Sequence, residues 1–97
     1  MKLMTKALEK QFPPFYSTEK IPAEDKVIVA KYFHCLSNWT WYAVEYNPET
    51  REFFGVVDGH EREWGYFSLT ELESLRVRGL PVERDLYFKP VKVKNLT

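Results

Sequence analysis

The sequence predicts an α+β fold, a small antiparallel sheet of about four to five strands with two short helices. Three features predict it: aromatic and β-branched residues gathered in short runs between Val27 and Phe67, a turn signature at Asn47-Pro48-Glu49-Thr50, and a helix-capping pattern at Ser68 and Glu71. At 97 residues the chain is expected to form one domain, 1–97, because a second hydrophobic core would need more material. Apolar residues at 44% and aromatics at 16% exclude a disordered, solvated chain.

Taken in order, Thr5 is placed to cap a first helix whose apolar residues Leu8 and Phe12 lie four apart, and Pro13-Pro14 stops it. A polar connection from Ser17 to Lys26 leads to Val27–His34, whose β-branched and aromatic content reads as a strand. Trp39–Tyr46 and Arg51–Asp58 form the predicted hairpin, since proline after asparagine suits a type I turn. In that register Tyr46 faces Arg51, Val44 faces Phe53, Tyr42 faces Gly55 and Thr40 faces Val57 on a mostly apolar side, the core candidate. The other side carries Trp39, Trp41, Ala43 and Glu45 with Glu52, Phe54, Val56 and Asp58. Asp58-Gly59-His60 turns the chain into a short strand at Trp64–Phe67. Ser68 and Glu71 then open a second helix to about Arg76, with Phe67 and Leu72 as its hydrophobic staple, Leu72 and Leu75 inward and Gly79 as its left-handed cap. Val82–Phe88 is expected to add an edge strand, ahead of a loose basic tail.

Lysine plus arginine (14) equals aspartate plus glutamate (14), so no global basic field gathers phosphates. The charge is uneven. Lys2, Lys6 and Lys10 at the start and Lys89, Lys92 and Lys94 at the end are basic, while Glu45, Glu49, Glu52, Asp58, Glu61 and Glu63 make the middle acidic. One cysteine, Cys35, forms no intrachain disulfide, Met1–Lys10 lacks the apolar run of a signal peptide, and no window is long and apolar enough to span a membrane. A cytoplasmic protein with no membrane partner is expected.

Catalytic and metal motifs are missing from the residue pattern. His34 and Cys35 are adjacent on a strand and point to opposite faces, which disfavours a shared zinc, and His60 is the one remaining histidine. Asp58, His60 and Ser68 have the residue types of a hydrolytic triad without a geometry to support it. Glu45 opposite Glu52 would be a like-charge pair, and Glu83-Arg84-Asp85 reads as an ion-pair cluster holding the last segment. No cofactor is expected. The sharper candidate is a partner-binding face of Trp39, Trp41, Glu45, Glu52, Phe54 and Asp58, where aromatic anchors sit among acids that attract lysine or arginine. The competing expectation is that helix one and the segment with Phe15 and Tyr16 lie over that face.

Leu3-Met-Thr-Lys6, Pro13-Pro-Phe-Tyr16, Ser37-Asn-Trp-Thr-Trp-Tyr42, Phe53-Phe-Gly55, Gly65-Tyr-Phe-Ser-Leu69, Glu71-Leu-Glu73, Leu80-Pro-Val-Glu-Arg-Asp-Leu86 and Phe88-Lys-Pro90 follow one another in an order that resembles the DUF2958 family nearly end to end. Members of that family look like accessory proteins of phages, plasmids and other mobile elements, and no catalytic residue set comes with the resemblance. It implies a non-enzymatic binding protein acting on a host protein with a basic surface, one that could inhibit a defence system such as CRISPR or restriction. The alternative is a nucleic-acid or nucleotide binder that stacks a base on Trp39, Trp41 or Tyr66 and uses the basic termini for phosphates. An enzyme of another type stands third.

Overall fold

A computed structural model describes residues 1–96, and over them the fold is α+β. Helix α1 is Lys6–Glu9, and Thr5 caps it by accepting the Leu8 N–H at 3.1 Å. The strands are β1 (Val27–Ile28), β2 (Ala30–Phe33), β3 (Thr40–Asn47), β4 (Glu52–Asp58) and β5 (Arg62–Ser68), followed by helix α2 (Leu69–Ser74) and β6 (Arg76–Val77), β7 (Leu80–Pro81), β8 (Glu83–Arg84) and β9 (Val91–Lys92). The main sheet has the order β5-β4-β3-β2-β8 and is antiparallel throughout. Two small pairs, β1 with β9 and β6 with β7, complete the pattern.

The hairpin departs from the expected register in two steps. Asn47 does make the anticipated turn, its side-chain oxygen accepting the Glu49 N–H at 3.0 Å. The loop, however, is Pro48–Arg51, with Arg51 in the left-handed region at φ 58°, so Asn47 pairs with Glu52, Glu45 with Phe54 and Tyr46 with Phe53. Next, a β-bulge at Val44 inserts one extra residue, and beyond it Ala43 pairs with Gly55, Tyr42 with Val56, Trp41 with Val57 and Thr40 with Asp58. A bulge exchanges the two faces of everything beyond it. Trp41 and Ala43 therefore join Tyr46 and Phe53 on one side, while Tyr42 and Val44 join Val56 on the other. Gly55 is needed at this point because a side-chain carbon there would run into the Tyr42 carbonyl and the Ala43 backbone.

Both faces carry apolar cover. On the first, Ala30, Tyr32, Trp41, Ala43, Tyr46 and Phe53 lie under Leu3, Leu8, Leu69, Leu72 and Val82, with Phe12 and Phe67 packed at the margin. Phe53 is the hub, its ring 4.8 Å from Tyr46, 5.1 Å from Phe67, 5.5 Å from Tyr32 and 5.6 Å from Phe12. On the second, Ile28, Tyr42, Val44 and Val56 lie under Phe88, Val93 and Leu96. The two chain ends thus sit on opposite faces of the sheet, and their lysines do not merge into one basic patch.

Local chemistry fixes the remaining elements. The Ser68 hydroxyl accepts the Glu71 N–H at 3.2 Å, capping α2, and Phe67 and Leu72 share the core as a staple does. The helix ends at Ser74, earlier than expected, and Leu75 is exposed rather than inward. Gly79 serves a different purpose: Arg78 at φ 53° and Gly79 at φ 78° form the two-residue turn between β6 and β7, a conformation that needs positive φ at both positions. His34 anchors that hairpin, its Nε2 donating to the Leu80 carbonyl at 2.8 Å while Nδ1 accepts the Leu36 N–H at 3.1 Å. The Glu83-Arg84-Asp85 segment is held chiefly by β8 pairing with β2 rather than by an ion-pair cluster: Asp85 lies 3.9 Å from Lys31, and Arg84 donates to the Lys2 carbonyl.

Two outcomes are expected. Ser68→Ala should lower stability by about 1 kcal/mol, read from denaturant melts, because a helix-terminal amide loses its acceptor. Unchanged stability would show that the cap is dispensable. Burial pushes the Tyr32 phenol well above its ordinary value of 10.0, and its hydroxyl donates to the Leu3 carbonyl at 2.8 Å. Stability from this group is complete below pH 10 and is lost as pH rises toward the raised value, since only the unfolded chain ionises there. Alkaline melts should show that loss, with a shallower slope in Tyr32→Phe.

Candidate functional site

The bulge separates the residues expected to share a partner-binding face. Trp41 is 8% exposed and belongs to the first core, so its placement beside Phe54 is corrected. Trp39 lies just before β3 against Trp41, ring centres 6.1 Å apart, and meets the edge of His60 at 5.8 Å. It rests over Gly59, where any side-chain carbon would strike the indole at 2.6 Å. Glu45, Glu52, Phe54 and Asp58 occupy the opposite face. Glu52 faces Asn47 and Ser68 rather than Glu45, so the like-charge pair does not form. Asp58 is joined to Arg62 at 3.0 Å.

Glu45 has become a structural clamp. At 4% exposed, its carboxylate accepts the Tyr16 N–H at 3.0 Å, the Thr18 N–H at 3.2 Å and the Thr18 hydroxyl. Lys26 donates to the Thr18 carbonyl and, at 3.1 Å, to the same hydroxyl, so one threonine links the buried acid and the buried base. The clamp holds Tyr16 at φ 67°, a left-handed conformation costly for an aromatic residue. The segment consequently wraps the end of the sheet, with Phe12 on the Phe53 side and Phe15 on the Tyr66 side. The expected covering of the aromatic face is thereby realised in part.

What stays open is a continuous run of rings. Trp64 stacks on Phe54 at 5.3 Å and 20°, Tyr66 meets Phe54 at 5.2 Å, Phe15 meets Tyr66 at 5.6 Å, and Tyr16 meets Phe15 at 5.9 Å. Trp64 is 37%, Tyr66 56% and Tyr16 63% exposed. Phe54 was named from sequence in the partner-binding face, and Tyr66 only as a base-stacking residue in the alternative reading. The signal for the others was the two-residue spacing of Trp64 and Tyr66, which puts both on the Phe54 side.

Between Tyr16, Phe54 and Tyr66 the surface dips into a cavity of about 260 Å³, also lined by Glu19, Lys26 and Glu45. Desolvation of its hydroxyl, the neighbouring Tyr16 phenol and the Glu45 and Glu19 carboxylates push the Tyr66 phenol up. An aromatic hollow under negative charge suits a cationic group, which sits favourably on ring faces. A larger cavity of about 670 Å³ lies under Met1 and Leu80 and includes Cys35, Glu73 and Arg76. The nearby His34 has both ring nitrogens engaged, so it supplies no free base to Cys35. Asp58, His60 and Ser68 are not assembled: Asp58 pairs with Arg62, His60 abuts Trp39 and Ser68 caps α2. Among the described residues no three histidines, cysteines or acids converge on a metal position, and no helix is long and apolar enough to cross a membrane.

No curated protein and no solved structure matches the chain. One family model does, that of a protein of unknown function, DUF2958, and it aligns with residues 3–94, from the buried Leu3 through both covers of the sheet. The chain belongs to the DUF2958 family.

Proposed function

We propose that this protein is a non-enzymatic binding protein whose aromatic and acidic face, Phe15, Tyr16, Phe54, Trp64 and Tyr66 with Glu19 and Glu52, receives a basic surface of a partner protein. The observation that carries the reading is the run of exposed rings around the Tyr16–Phe54–Tyr66 cavity, with Glu19 at its mouth. Exposed aromatic clusters rimmed by charge are typical of interfaces, and a lysine or arginine from the partner would pair with the acid while its stem lies on the rings. On this reading, and in keeping with the family resemblance, the partner is a protein of a mobile element's host, and inhibition of a defence system is the biological role that fits. Binding of nucleic acid gains less support, because the basic ends lie on opposite faces and the open rings stand beside acids.

Tagged wild-type protein should capture its partner from host lysate after nuclease treatment. Tyr66→Ala and the charge reversal Glu19→Lys should each weaken that complex, the tyrosine by about 2 kcal/mol or more, with melting temperature little changed. Trp41→Ala should instead cost about 3 to 5 kcal/mol of stability, as a core tryptophan does. Loss of the complex on nuclease treatment, or full capture by both surface variants, would refute the reading.

A further inference from the structure

Strand β5 forms one end of the main sheet, and among the described residues no strand pairs with its outer side. Its seven residues keep an unbroken register with β4, from Arg62 opposite Asp58 to Ser68 opposite Glu52. Natural edges are usually blunted by proline, lysine, a bulge or brevity. The opposite edge, β8, is only two residues long, whereas β5 is long, unbulged, free of proline and lysine, and charged only at Arg62 and Glu63.

The ladder shows which backbone groups face out. Leu69 donates to the Arg51 carbonyl at 2.8 Å at one end, and Gly59 donates to the Glu61 carbonyl at 3.1 Å at the other. Odd-numbered residues of β5 therefore bond to β4, and the N–H and C=O groups of Arg62, Trp64 and Tyr66 point away from the sheet. Among the described residues no loop backbone meets those groups.

Gly65 stands at the centre of the strand. Glycine weakens a strand interior, and in such a place it commonly marks the close approach of another backbone. Gly55 has an internal reason in the Tyr42 carbonyl; Gly65 has none, since its φ is not positive and nothing lies within 4 Å of where a side chain would begin.

We propose that β5 pairs antiparallel with β5 of a second copy of this chain, across a two-fold axis at Gly65, joining the two five-stranded sheets into one. In this register the whole strand overlaps. Trp64 lies opposite the second copy's Tyr66 through about four ladder hydrogen bonds, and the two Gly65 residues form the close, non-hydrogen-bonded pair on the axis. Glu63 falls opposite Phe67 and Arg62 opposite Ser68, so no like charges meet, and the aromatic pairs across the seam add their own attraction. An axis at Glu63 would set two glutamates against each other. The match of the strand to itself favours a second copy over a foreign strand, and with 14 positive and 14 negative side chains two copies do not repel as bodies. This pairing rests on the backbone edge and stands without the partner reading above, although its seam rings, Trp64 and Tyr66, belong to the same aromatic face.

Sedimentation equilibrium over a dilution series tests it. The wild type should reach twice 11.6 kDa at the upper concentrations and fall to 11.6 kDa when dilute. Gly65→Lys has open space in the single chain but places two ammonium groups together on the axis. It should remain at 11.6 kDa throughout while melting, when dilute, like the wild type. An equimolar mixture of Gly65→Lys and Gly65→Glu should recover the doubled mass. A wild type that stays monomeric, a Gly65→Lys variant that still doubles, or a mixture that does not recover overturns the proposal.

Discussion

The extra residue at Val44 is the constraint on which the rest of the structure depends. Without it, Trp41 and Ala43 would lie on the same side as Phe54, and Phe53 would lose much of the cluster that surrounds it. With it, Val44 turns into the second cluster and Glu45 reaches the Tyr16–Thr18 segment. A small sheet cannot bury an apolar stripe on both sides unless the chain supplies two covers, and the bulge decides which stripe each cover meets. Gly55 makes it possible, because the bulged strand leans its Tyr42 carbonyl into the space a side chain would take.

The two covers come from the two ends of the chain. Residues 3–12 close the Phe53 side, residues 88–96 close the Ile28 side, and neither reaches the outer half of the second face. There the chain offers only the edge of its own loop, Phe15 and Tyr16, held by a carboxylate that accepts three hydrogen bonds. A buried carboxylate is tolerable when its oxygens are so fully used. The acid that most resembled a surface attractant in the sequence thus positions the aromatic rim and leaves Glu19 to carry the negative charge at its mouth.

Much of the fold was legible because its signals are local. Thr5 and Ser68 cap the helices they were expected to cap, Asn47 makes its turn, and the strands from Ala30 to Phe67 sit close to where β-branched and aromatic residues accumulate. The faces of the hairpin were not legible. Ala43-Val44-Glu45 reads as ordinary alternation, and the contacts that accompany the bulge lie outside its own strand, at Gly55 across the hairpin and at Tyr16 in a loop remote in sequence. Trp39, Trp41 and Phe54 look equivalent in the sequence, yet they end in a half-open corner, the core and the aromatic strip. Gly79 misled for a related reason: left-handed glycine serves helix ends and tight hairpins alike, and the pairing of Arg76 with Pro81 chose the hairpin.

The three indoles occupy three separate settings. Trp41 is sealed among aliphatic and aromatic neighbours, whereas Trp39, set against Trp41 and His60, and Trp64, stacked on Phe54, are equally exposed to solvent. Intrinsic emission is therefore a composite in which the red, solvent-relaxed component is shared by Trp39 and Trp64. The molecule carries its own optical label: whatever seats itself along β5 dries Trp64 and moves its share of that red emission to the blue, while loss of the core reddens Trp41 instead.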